Sequence, residues 1–82
     1  MSDPRVTVYS RANCPLCTEA LETVRDVAAD VPPDVDVEVV DVDDDPDLRD
    51  RYGDRVPCVA VDGRLVAEVR VDPAELRRRL AG

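Results

Sequence analysis

At 82 residues the chain is long enough for one small domain, spanning 1–82, and too short for two. Hydrophobic residues make up 44 % of it, but with no Phe or Trp and only two Tyr the core has to be built from Val, Leu and Ala. Eleven arginines against nineteen acids leave a net charge of −8, which excludes a broad basic face and, with it, nucleic acid as an expected partner.

Arg5 to Tyr9 reads as a first strand, because Val6-Thr7-Val8-Tyr9 is β-branched and aromatic throughout and suits a strand covered on both faces. Ser10 to Asn13 is a loop. From Pro15 onward Leu16, Ala20, Leu21, Val24, Val27, Ala28 and Val31 recur at three- and four-residue spacing, which predicts an amphipathic helix ended by Pro32-Pro33. Val35 to Val42 alternates valine with acid and reads as a second strand near an edge, parallel to the first because one helix joins them. Asp43-Asp44-Asp45 offers caps for a short helix from Pro46 to about Gly53, with Leu48 and Tyr52 inward. Cys58 to Val61 and Arg64 to Val69 flank Asp62-Gly63, the signature of a hairpin with a type I′ turn. Asp72-Pro73 then caps a last helix with Leu76 and Leu80 inward. The order β-α-β-α-β-β-α places the chain in the α/β class.

Ten carboxylates between Asp34 and Asp54 face only Arg49 and Arg51 and read as a solvated surface. The first residues lack a charged segment followed by an apolar one, and no apolar run approaches ~20 residues. A monomer in the cytoplasm, without membrane contact, is the expectation. In a reducing compartment the three cysteines are expected to be catalytic, metal-binding or buried rather than a disulfide framework.

Cys14-Pro15-Leu16-Cys17 carries the chemistry. A helix begins with unpaired N–H groups and a partial positive charge, so a cysteine there is stabilised as thiolate, and such thiols fall from ~8.5 to as low as ~3.5–7.5. Cys14 occupies that end, whereas Cys17 lies inside the first turn and is more shielded. The asymmetry assigns the roles: Cys14 attacks a substrate disulfide, and Cys17 attacks the resulting mixed disulfide to release product. Pro15 stiffens the short loop and Leu16 gives it an apolar rim. Some forty residues on, Val56-Pro57 stands just ahead of a strand, where proline is tolerated only at a strand start or in a special conformation.

Tyr9 to Cys17, together with Arg55-Val56-Pro57, resembles the thioredoxin superfamily and, more closely, the short prokaryotic glutaredoxin-like proteins. The likeness covers nearly the whole chain in element order. It implies a thioredoxin fold with a four-stranded mixed sheet and three helices. It further implies a cis Pro57 beside the sulfurs, a Val56 backbone that pairs with an extended substrate, and Arg11 near the thiolate and a substrate carboxylate. Pro15 and Leu16 complete the substrate-contacting set. Implied partners are a disulfide-containing protein or small thiol, with no tightly bound cofactor and with glutathione or another low-molecular-weight thiol as reductant. Two departures stand out. Val8 and Asn13 occupy the places of the buried acid and the Trp of thioredoxins, and Glu68-Val69-Arg70-Val71-Asp72 replaces the Gly-Gly-acid segment of glutaredoxins.

The alternatives use the same thiols. A closed zinc site needs about four ligands, and the chain offers three cysteines and no histidine. A non-enzymatic iron–sulfur or metal carrier would use Cys14 with thiols from outside the chain, and a redox-sensing adaptor would signal through the state of the same dithiol. Cys58, next to Pro57, is either a buried packing residue or a candidate third thiol of the site.

Overall fold

The first strand, β1 (Arg5–Ser10), sits inside the sheet with Val6, Thr7 and Val8 all buried, as an uninterrupted β-branched run requires. A computed structural model describes residues 5–30 and 35–81 of the chain. Around β1 the order is α1 (Pro15–Asp30), β2 (Asp36–Asp41), a 3-10 turn (Val42–Asp44), α2 (Pro46–Tyr52), β3 (Cys58–Val61), β4 (Arg64–Glu68) and α3 (Pro73–Ala81). The strands lie in the order β2-β1-β3-β4, with β2 parallel to β1 and the other two pairs antiparallel.

Register assigns the two faces. Val6 pairs with Val61 and Val8 with Val59, and these side chains meet Val24 and Val27 of α1 and Leu76 and Leu80 of α3 in the main core. Thr7 pairs with Ala60 and Tyr9 with Cys58 on the opposite face, where the Tyr9 and Tyr52 rings stack with centroids 4.4 Å apart. The core is made of Val and Leu as the composition demands, and no residue of α2 is fully buried.

Several expected boundaries and one orientation change: β1 runs on through Ser10, and β2 begins at Asp36 rather than Val35. The buried stripe of α1 runs through Cys17, Ala20, Val24 and Val27, while Leu16, one residue from Cys17 and therefore about 100° round the helix, is 42 % exposed. The second strand stops at Asp41 rather than Val42, because the Asp41 carboxylate accepts the Asp43 N–H at 2.9 Å and bends the chain into the 3-10 turn, burying Val42. The fourth strand ends at Glu68 rather than Val69. Val69 has φ +66°, and the Arg70 N–H donates to Glu68 O at 2.6 Å across it, a γ-turn. The expected inward Val31 and the stop at Pro32-Pro33 lie outside the described residues.

The remaining local signals act as their residue types dictate. Asp45 and Asp72 cap α2 and α3 by accepting the N–H of Asp47 and Ala74, each at 2.9 Å. Asp62 and Gly63, at φ +52° and +84°, form the type I′ turn. Gly53 closes α2 at a spot where a Cβ would come within 2.5 Å of Arg49 O. None of the helices among the described residues is long and apolar enough to cross a membrane.

Candidate active site

The dithiol is positioned by the join between β1 and α1. Asn13 takes φ +58°, a conformation its short polar side chain tolerates, and turns the chain so that Cys14 becomes the residue capping α1. Thr18 N–H donates to Cys14 O at 3.2 Å, while Cys17 N–H lies 3.1 Å from Cys14 O and 3.2 Å from Cys14 Sγ. The sulfur thus stands where a capping oxygen would, at the positive end of a sixteen-residue helix whose first turn contains no acid to cancel that charge. Pro15 fills the first helical position, where no N–H bond is lost.

Cys14 and Cys17 are joined in a disulfide with Cα atoms 5.2 Å apart. Cys14 is half-buried and Cys17 is buried, so only the first sulfur is open to a bulky partner.

Because β1 and β3 run antiparallel, with Tyr9 opposite Cys58, the loop after β1 and the loop before β3 emerge at the same end of the sheet. The Val56–Pro57 peptide in that second loop is cis. Pro57 is buried and Val56 half-buried, and Pro57 O accepts the Val69 N–H at 2.7 Å. That bond carries the chain to a groove of about 270 Å³, walled by Leu16, Glu19, Ala20 and Thr23 of α1 and by Val69 and Arg70 of the γ-turn. Leu16 and Val69 are both exposed there, and they make an apolar rim beside the dithiol.

Arg11 is bound elsewhere than at a sulfur. Its Nη2 lies 3.1 Å from Asp43 Oδ1, its Nε donates to Asp43 Oδ2 at 3.2 Å, and its Nη1 donates to Gly53 O at 3.2 Å. It also lines, with Ser10, Cys17, Thr18 and Val39, a hollow of about 100 Å³ beneath the dithiol loop. Asp43 and Gly53 are the site-proximal residues that sequence reasoning missed. A pairing across 32 residues has no local signal, and only the surplus of acid after β2 hinted at a partner.

Cys58 is fully buried, its thiol donates to Arg55 O at 3.3 Å, and burial pushes its pKa up, with Glu68 adding to the rise and Arg55 opposing it. It lies on the sheet face that holds Tyr9, and among the described residues it forms no three-ligand group with other cysteines or acids.

Residues 5–81 match the family model of the glutaredoxin-like domain (DUF836). The chain belongs to this glutaredoxin-like family. An uncharacterized protein of Mycobacterium tuberculosis is 34 % identical to this glutaredoxin-like chain, over 99 % of it and 87 % of the relative. A solved structure from X. campestris, 32 % identical, superposes with a TM-score of 0.74 over 92 % of this chain and 93 % of that one. A thioredoxin from Halobacterium salinarum, 27 % identical, gives a TM-score of 0.68 over 96 % of this chain and 73 % of its own. The fold is the thioredoxin fold, with a four-stranded mixed sheet and three helices as the family resemblance implied.

Proposed function

We propose that this glutaredoxin-like domain is a thiol-disulfide oxidoreductase that works through Cys14 and Cys17. The observation that carries the reading is the asymmetry of the bonded pair: an accessible sulfur that caps a helix, and a buried one a single turn behind it. Reduced Cys14, as thiolate, attacks one sulfur of a substrate disulfide, forming a mixed disulfide and expelling the other sulfur as thiolate. That leaving thiolate takes the proton of Cys17. Cys17 then attacks Cys14 Sγ, the mixed disulfide breaks, and the second substrate thiolate departs and takes a proton from water. Two electrons have passed to substrate, and the Cys14–Cys17 disulfide remains. A low-molecular-weight thiol or a protein dithiol reverses the sequence and resets the site.

Val8 stands where a thioredoxin has its buried acid, and Val8 is buried among apolar side chains, so no carboxylate at that position serves as base. The helix end does the work of holding the thiolate. Pro57 and the half-buried Val56 border the path by which an extended substrate approaches, and the Val56 backbone has no hydrogen-bond partner among the described residues. Pro15, Leu16 and Arg11 complete the surroundings. A reducing, cytoplasmic setting suits this chemistry.

Replacement tests the roles directly. Cys14→Ser abolishes reduction of a model disulfide, whereas Cys17→Ser accumulates a mixed disulfide with substrate, read as a mass increase equal to one substrate half. Equal turnover by Cys14→Ser and the wild type overturns the assignment.

A further inference from the structure

Two of the three arginines near the dithiol end of the sheet, Arg11 and Arg55, are already neutralised. Arg11 is held by both oxygens of Asp43, and its remaining nitrogen by Gly53 O, so Nε, Nη1 and Nη2 are all engaged. Arg55, two residues before Pro57, pairs with Glu68 Oε1 at 3.1 Å, donates to Arg51 O and lies 5.9 Å from the centre of the Tyr52 ring. A third, Arg70, lines the 270 Å³ groove together with Glu19. An anionic substrate therefore meets no uncommitted pair of cations at Arg11 and Arg55. To reach either one it has to displace a carboxylate that already makes the same bonds, and the whole chain repels it with a net charge of −8.

Resting on the oxidoreductase reading, we infer that Asp43 sets the charge preference of the dithiol. By holding the Arg11 guanidinium it makes this a site for neutral or cationic disulfides and a poor one for anionic thiols such as glutathione. Asp43 acts through Arg11 and so is a positioning residue. It is fixed for that task by its own turn, in which Asp41 accepts the Asp43 N–H and Asp45 N–H donates to Val42 O at 3.4 Å. Arg11 and Asp43 are 37 % and 36 % exposed, so the pair is reachable from solvent and salt screens it.

The test is the second-order rate at which the reduced full chain is oxidised by three small disulfides: cystamine (cationic), bis(2-hydroxyethyl) disulfide (neutral) and dithiodiglycolate (anionic). Each rate is divided by that of the same disulfide with dithiothreitol, which removes differences in intrinsic reactivity. The expected order is cationic, neutral, anionic, with a spread of about tenfold at ~20 mM salt that shrinks to about two- to threefold at ~0.5 M. Asp43→Asn keeps the shape and one hydrogen bond to Arg11 while releasing its charge, and it should raise the anionic-to-cationic ratio by about fivefold. Asp30→Asn removes the same charge at the far end of α1, about 20 Å along the helix, and should leave that ratio within about twofold. The double variant Arg11→Gln/Asp43→Asn, with both charges gone, should return to the wild-type ratio.

A flat or reversed order in the wild type overturns the inference, as does a response to Asp43→Asn no larger than that to Asp30→Asn. Reaction with none of the three disulfides overturns the oxidoreductase reading and the inference with it.

Discussion

The two faces of the sheet are held by different physics. Toward α1 and α3, Val6, Val8, Val24, Val27, Val59, Leu76 and Leu80 close a dry aliphatic core. Toward α2 the cover is thin: α2 buries no residue fully, and the tyrosine stack is joined by polar ties, Arg11 to Asp43 and Gly53, Arg55 to Glu68, and the Cys58 thiol to Arg55 O. Apolar packing is indifferent to salt and pH over most of the range, whereas exposed ion pairs are weak and screened. The division puts stability on one side and the adjustable contacts of the dithiol loops on the other.

The sharpest way to break this picture is to remove bulk from each face in turn. Leu76→Ala, in the aliphatic core, should cost about 2–5 kcal/mol in urea unfolding and leave the oxidation rate of the folded fraction unchanged. Tyr52→Leu should cost only about 1 kcal/mol, mainly the lost stacking, and should change the oxidation rate because Tyr52 supports both Tyr9 and Arg55. If Leu76→Ala altered the rate and Tyr52→Leu did not, the two faces would not divide the labour in this way.

The smallest effect is a slope with pH. Burial pushes the Cys58 thiol above its ordinary 9.0 and the Tyr9 phenol above its ordinary 10.0, the neighbouring Tyr52 adding to the second. The unfolded chain ionises these groups at the ordinary values while the folded chain keeps them neutral. The stability they contribute is therefore fully present below pH 9 and is lost as pH rises through the raised folded values. Urea midpoints at pH 8, 9 and 10 should fall, and Cys58→Ala should flatten the first part of the fall.

Much of this was legible in the chain because the signals were local. The helix-capping cysteine, the Asp45 and Asp72 caps and the Asp62-Gly63 turn each depend on residues within a few positions of one another, and each was found where its residue type implied. Leu16 fits the expected apolar rim but not the stripe, because three- and four-residue spacing does not fix which of two adjacent apolar residues centres it, and Cys17 took that place. Val69 looked like strand because Leu65 to Val69 is β-rich. What bends it is a tertiary bond, its N–H to Pro57 O and Arg55 O, which no neighbour in sequence announces. The partner of Arg11 was hidden for the same reason.

The rims of the sheet carry a last consequence. Along β2 the outermost backbone is flanked by Asp36, Glu38 and Asp41, and along β4 the register slips at Val66 before the chain turns off at Val69. A charged margin on one side and a crooked one on the other offer poor templates for a further strand. In the folded state neither margin invites a second copy to extend the valine-rich sheet.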